Sequence, residues 1–372
     1  MPSHSTAAIS FGLLAAVLVT AGPLRAQLHF PSDDAIQAIL DGQVTAKRTV
    51  GLVIGLIETD GTRRIFTAGQ SGHPGLPLNG KTVFEIGSIT KVFTTGLLAE
   101  MVSRSEVELS DPVQKFLPAG VTMPSRNGRQ ITLRDLAIVH SGLPDMPSTF
   151  KPVDSSNPYA GFTVKEMYEF LSAYTLPRDI GAHYEYSDLG MGLLGHVLGL
   201  RHGMGYFQAI YERILQPLGM RDTRIDLTPS MQTRLAQGHD ADGTPVPTWD
   251  APALEGAGAL RSTVDDMLLF LAASTHPAST PLGRILASTH APQAATGFPH
   301  LSVGLGWHLL TRPSGSIVWH NGGTGGYRTF LGFDPARRVG VVILSNSAIG
   351  ADDVGFHLID PTFPLSEPAT RF

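Results

Sequence analysis

The sequence predicts an α/β (α+β) fold. An antiparallel sheet is built from both ends of the chain and flanked by helices, with a mostly helical region inserted between the two halves. Three observations lead there. Runs rich in β-branched and aromatic residues fill 49–69. Similar runs return after residue 300. From about 104 to 295, helical patterns alternate with Pro- and Gly-rich loops instead. With 42% hydrophobic and only 16% charged residues, the 372-residue chain is no disordered polymer. The net charge is −5, and no long basic run offers the clustered Lys and Arg that nucleic acid requires, so no nucleic-acid partner is expected. Cys is absent, which excludes disulfides, thiol nucleophiles and Cys-bound zinc.

The elements follow in order. Residues 7–22, AAISFGLLAAVLVTAG, have the length of a signal-peptide core and fall short of the roughly 20 apolar residues of a spanning helix. We expect a signal peptide over 1–26, cleavage after Ala26, and a periplasmic or secreted protein with no stable membrane span after cleavage. Ser32 then caps a helix marked by Ile36, Leu40 and Val44, with Gly42 as an early stop signal. TVGLVIGLIE (49–58) and TRRIFTAG (62–69) form a hairpin about Asp60-Gly61. Residues 70–80 are loop, and 88–103 a helix. Further helices are predicted at 131–138, 164–174, 189–200, 204–215 and 263–273, the last with Ser262 and Asp265 as a capping box. GWHLLT, SIVWH, YRTFLGF and RVGVVILSN are strands, parted by the turns PSG and DPAR. The expected division is an α/β domain from 27–103 and 296–372, a helical domain over 104–295, and an active site between them.

Three segments carry chemistry. Ser88 and Lys91 lie one turn apart at a helix start. A desolvated lysine can activate a serine hydroxyl, and a backbone N–H at a helix start can meet an oxyanion. Ser148 and Lys151 share the spacing, but Pro152 opposes a helix there. Tyr184-Glu185-Tyr186-Ser187-Asp188 precedes an apolar helix. Two readings compete for it: Tyr186 and Asp188 face a cleft, or Asp188 caps the helix while Tyr186 packs beneath. Trp319-His320-Asn321-Gly322-Gly323-Thr324-Gly325-Gly326-Tyr327 joins two strands. Its glycines let a substrate pair with an edge strand, or they simply make a turn.

Together, FEIGSITKVFTT, YSDLG and HNGGTGGY resemble the penicillin-recognising serine hydrolases. That family includes class C β-lactamases, D-alanyl-D-alanine carboxypeptidases and β-lactamase-like esterases. The resemblance extends through HSGLP (140–144), GAGALRST (256–263) and GFDPARRVGVVILSN (332–346), over nearly all of the mature chain. It implies an α/β sandwich with an inserted helical domain, and an acyl-enzyme formed without a cofactor or metal. It assigns Ser88 as nucleophile, Lys91 as its proton partner, and Tyr186 as the proton shuttle. His320 stands where the β-lactamases carry the Lys of Lys-Thr-Gly. Asp188, Asn321, Gly322 and Gly323 are expected to bind substrate, with Gly323 N–H beside that of Ser88 in the oxyanion hole. The chain departs from the family where Asp188 replaces Asn and His320 replaces Lys, so two changes remove positive charge or amide donation. Arg328, next to the glycines, is a candidate replacement cation.

The leading expectation is β-lactam hydrolysis. The alternatives are D-alanyl-D-alanine carboxypeptidase or endopeptidase activity, ester hydrolysis, a sensor that is acylated without turnover, and metal-assisted hydrolysis. Small-molecule or peptide substrates fit all the covalent readings. Gly75 to Thr82 matches the phosphate-loop string letter for letter, but Val83-Phe84-Glu85-Ile86 is a poor helix start and Pro77 lacks an N–H.

Overall fold

The computed structural model describes residues 29–366. The expected signal peptide lies outside the described residues. Its principal helices are α1 (Asp33–Thr45), α2 (Thr90–Ser103), α3 (Val164–Ala173), α4 (Asp188–His202), α5 (Val264–Thr275), α6 (Pro281–Ser288) and α7 (Asp352–Ile359). The main sheet has strands β1 (Gly51–Ile57), β2 (Arg63–Gly69), β3 (Ala294–Ala295), β4 (Leu301–Val303), β5 (His308–Arg312), β6 (Gly315–Gly323), β7 (Arg328–Asp334) and β8 (Val339–Ser345). Their order is β2-β1-β8-β7-β6-β5-β4-β3, with antiparallel neighbours throughout. The two ends of the chain meet where β1 pairs with β8, from Leu52 opposite Ser345 to Ile57 opposite Gly340.

Both of these strands are buried along their whole length, which explains their unbroken apolar sequences. On one face, Ile36 and Leu40 of α1 and Val354 and Leu358 of α7 cover Leu52, Ile54, Val341 and Ile343. On the other, α5 covers Val53, Val342 and Leu344. Truncating one of these leucines or isoleucines to Ala costs about 2–5 kcal/mol, because the lost transfer energy is joined by a cavity.

Local chemistry sets the helix limits. Ser32 Oγ accepts from Ala35 N–H and starts α1, as predicted. Gly42 does not stop it; helix continues to Thr45, because one surface glycine costs only about 1 kcal/mol. The cap of α5 is Thr263, which accepts from Asp266 N–H, and not Ser262. Tyr206–Ile210 is followed by a π turn over Tyr211–Leu215 where one helix was expected. The helices α6 and α7 were not predicted: α6 begins on Pro281, a residue that reads as a breaker yet suits a first turn. Within 104–295, α5 packs on β1 and β8, and β3 is itself a strand of the sheet. The last part of that segment therefore belongs with the sheet, since the apolar face of α5 is needed to cover it. Residues 83–86 carry only the short strand Phe84–Glu85, so no helix follows the phosphate-loop string.

Candidate active site

Phe84–Glu85 pairs with Arg261–Ser262 and leads into a single 3-10 turn, Gly87–Ile89, ahead of α2. Gly87 has φ +51°, and a Cβ there would lie 2.7 Å from Gly323 N. Only glycine allows this approach. Likewise, a Cβ on Gly322 would lie 2.0 Å from Ile86 O. Thr329 Oγ1 donates to that same carbonyl at 2.9 Å. The turn bearing Ser88 is thus clamped against the end of β6, with Ser88 and Gly323 in one cleft.

That end of β6 has a particular geometry. β5 begins at His308, opposite Trp319, so from His320 to Gly323 the strand pairs with β7 alone. The expected edge strand is interior over its first half and edge-like over its second.

Lys91 is 1% exposed. Its Nζ donates to Ser88 Oγ at 2.8 Å, to Asp188 Oδ1 at 2.6 Å and to Ala257 O at 2.9 Å. Burial pushes an ammonium down, but the carboxylate of Asp188, with Tyr186 adding to it, outweighs this and holds Lys91 above its ordinary pKa. Lys91 is therefore a charged donor to Ser88. Its Nζ also lies 4.7 Å from the centre of the Tyr186 ring. Burial raises the Tyr186 phenol, Asp188 adds to the rise, and Lys91 only partly opposes it.

Asp188 is the first residue of α4 but not its cap. Ser187 Oγ accepts from Gly190 N–H at 2.8 Å and donates to Pro144 O at 2.6 Å. The capping reading of Asp188 gives way, because its neighbour fills that role and Asp188 binds Lys91. The backbone N–H of Asp188 donates to Asp145 Oδ1 at 2.9 Å. Burial, together with the charge of Asp188, raises the Asp145 carboxyl.

His320 is 2% exposed, and its Nδ1 lies 2.6 Å from Asn321 O. A carbonyl only accepts, so Nδ1 carries the ring proton and Nε2 is a lone pair in the neutral ring. Burial, His308 and Lys91 together push its pKa well below the usual value. His320 is uncharged at neutral pH.

The sequence placed the substrate-binding residues less well. Strand alternation turns Asn321 to the opposite face of the sheet, where its Nδ2 donates to Asp352 Oδ2 at 2.6 Å. Its side chain does not face the cleft, and Gly322 packs under Ile86. Arg328 braces the glycine turn: its Nη1 donates to Thr324 O at 2.7 Å and Tyr327 O at 3.0 Å, which sets its guanidinium beside Gly323. The structure adds Tyr159 and Trp249 to the cleft wall and Ala257 O to the lysine site. GAGALRST, which contains Ala257, was visible in the sequence; the use of its carbonyl was not. Ser148 and Lys151 lie in irregular loop. Among the described residues, no three His, Asp or Glu side chains are gathered as metal ligands.

Known proteins can now be compared with this geometry. The profile of the Beta-lactamase family matches residues 36–359. The chain belongs to that family. It is a serine hydrolase by that membership. The D-alanyl-D-alanine-carboxypeptidase/endopeptidase AmpH of Escherichia coli K12 is 28% identical over 307 residues, 78% of each chain. A beta-lactamase of Pseudomonas fluorescens is 25% identical over 84% of this chain and 92% of its own length. A solved class C beta-lactamase superposes with a TM-score of 0.76 at 20% identity, over 88% of this chain and 96% of that one. This last likeness concerns the fold.

Proposed function

We propose that the protein opens β-lactams through an acyl-enzyme on Ser88. One observation carries the reading: Lys91 Nζ holds Ser88 Oγ at 2.8 Å, in a cleft shared with Gly323. Ser88 attacks the carbonyl carbon, and the backbone N–H groups of Ser88 and Gly323 receive the oxyanion. Lys91, charged and donating, does not take the proton. Tyr186, a neutral phenol, takes it while handing its own proton to the leaving nitrogen. The C–N bond breaks as that proton arrives, and water then releases the acyl group. In this account Asp188 acts by keeping Lys91 charged. Asn321 and Gly322 fix the strand that presents Gly323.

A second reading is hydrolysis of D-alanyl peptides or esters. It is favoured by the neutral His320, which offers no ammonium to a β-lactam carboxylate. The apolar run at 7–22 supports export to the periplasm or beyond. No described helix is long and apolar enough to cross a membrane.

Intact-mass spectrometry with a penicillin, followed over time beside Ser88→Ala, tests the reading. A transient adduct on wild type alone, lost as the drug is consumed, is the expected result. A lasting adduct moves the assignment to a peptidase or a sensor. No adduct at any time contradicts β-lactam chemistry and leaves ester hydrolysis.

A further inference from the structure

Beside Ser88 the cleft is walled by Tyr159, Trp249, Ala251 and Leu254. Tyr186 and His320 do not line this recess; they border a different one with Lys91. The Tyr159 and Trp249 rings meet edge to face, with centres 5.3 Å apart and planes at 78°. Such a corner offers one ring face and one ring edge to a third flat group. Gly258 also lines the recess. Outside its own helix, a Cβ there would come no nearer than 3.7 Å to another atom, at Gly87 C, so the glycine leaves space beside the nucleophile turn.

Buried polar contacts fix this wall from behind. Glu85 and Arg261 are 3% and 7% exposed. Glu85 Oε1 accepts from Trp249 N–H at 2.8 Å and from Arg261 Nη2 at 3.2 Å. The same Nη2 donates to Trp249 O at 2.7 Å. The pair therefore holds both backbone polar groups of Trp249. Glu85 stands three residues before Ser88, so one carboxylate ties the wall to the nucleophile turn. Trp249 also packs against the glycine turn, where a Cβ on Gly325 would lie 2.7 Å from its Nε1. The loop that carries Tyr159 is tied to the same segment. Asn157 Oδ1 accepts from Asp250 N–H at 2.8 Å, and Asn157 Nδ2 donates to Asp250 Oδ2 at 3.1 Å.

We propose that Trp249 is a specificity-determining residue of this hydrolase: held by Glu85 and Arg261, it forms with Tyr159 a recess for a flat, uncharged aromatic substituent on the acyl side of the scissile carbonyl. The inference rests on the Ser88 acyl-enzyme reading above. The side follows from the path of the proton. Tyr186 gives its proton to the leaving group, which therefore lies toward Tyr186. The recess that Tyr186 does not line is left to the acyl part. The class of substituent follows from the lining. Its aromatic and aliphatic side chains carry no charge, and its carboxylate, Asp188, is already bonded to Lys91.

Burial, with the charges of Asp188 and Asp145 adding to it, pushes the Tyr159 phenol up to about 12, so that ring is also neutral in the working range. The braces on Trp249 and on the Tyr159 loop are made within the chain itself. The cost of ordering the corner is met in folding, and a bound ring does not have to meet it again.

The test uses the full chain, a fluorophosphonate probe for Ser88, and two esters with one leaving group, p-nitrophenyl acetate and p-nitrophenyl phenylacetate. Each kcat/KM is divided by the rate of that ester with hydroxide. In wild type the phenylacetate should lead by roughly 10- to 100-fold, the effect of burying one aromatic ring. Trp249→Ala should lower that lead by about fivefold or more, and Trp249→Phe should restore most of it. Gly258→Val, which fills the space that Gly258 leaves, should lower it too. Glu85→Ala should lower the lead through Trp249, and Glu85→Gln, which keeps an oxygen for Trp249 N–H, should recover it. A wild-type lead below about twofold, or a lead that Trp249→Ala and Gly258→Val both leave unchanged, would overturn the proposal. Equal losses in Glu85→Ala and Glu85→Gln would overturn the positioning role of Glu85. Wild type that fails to label at Ser88 would instead overturn the acyl-enzyme reading itself.

Discussion

On the helix side of the cleft, Lys91 is charged, with its Nζ bonded to Ser88, Asp188 and Ala257. On the sheet side, His320 and His308 are buried and neutral. The two sides meet at Tyr186, which faces both. The contrast shows how one cation can serve such a site. Asp188 fixes Lys91 as a donor, so in the proposed reaction the proton moves through Tyr186. It also shows what the site lacks, because the Lys91 ammonium is already paired and the neutral His320 adds no positive charge for an anionic substrate.

The comparison can be broken at several points. The largest effect is expected from Ser88→Ala, which removes the proposed nucleophile between the two sides. Turnover should fall by about 10³-fold or more, with no covalent adduct by mass spectrometry. Next comes Asp188→Asn, which strips the counter-ion from a buried ammonium. It should cost about 3 kcal/mol of stability in denaturant unfolding at neutral pH, as breaking a buried pair does. It should also lower the Lys91 pKa, so that a new basic limb appears in the pH–rate profile. A profile and stability like those of wild type would mean that Asp188 does not hold Lys91 charged.

His320→Lys sharpens the contrast from the other side. It puts a second ammonium at a 2%-exposed position near Lys91. Carboxylate-bearing substrates should gain roughly tenfold in kcat/KM over neutral ones, about 1.4 kcal/mol, from one charge-assisted contact. The melting temperature should fall, because that charge has no carboxylate of its own. An unchanged preference would count against the charge argument.

The smallest expected effect lies beside the lysine. Glu255 begins the short helix Glu255–Gly258, which carries Ala257 O. Burial, with Asp226 adding to it, pushes Glu255 up to about 7. The folded state therefore keeps a proton that the unfolded state loses near 4.5, and stability falls as pH rises from about 4.5 through 7. Glu255→Gln should remove that loss, gaining about 1–3 kcal/mol at pH ~8 relative to pH ~4. Urea unfolding at the two pH values measures it. An equal change in both proteins would show that Glu255 ionises normally.

Much of this molecule could be read in advance, for physical reasons that differ by region. The paired ends of the sheet were legible because β1 and β8 are continuous apolar runs bounded by turns. Ser88, Lys91, Tyr186 and His320 were legible as spaced motifs, and the resemblance gave them roles. Asn321 was misplaced because a motif string carries no alternation: His320 points to Lys91, so its neighbour must turn to Asp352. The contact of His308 with His320 was hidden because it depends on where β5 starts against β6, which no local pattern encodes. Ala257 was hidden because it acts through a carbonyl that every residue possesses. The α6 helix, which begins on Pro281, was not predicted.

The most direct test of the central claim is kinetic. Two esters that differ only in a carboxylate and its methyl ester would be compared by kcat/KM at low and high salt. With Lys91 paired to Asp188 and His320 neutral, the account predicts similar values for the two and little change with salt. A preference of roughly tenfold or more for the anion, lost as salt screens it, would reveal an unpaired cation in the cleft and contradict the account.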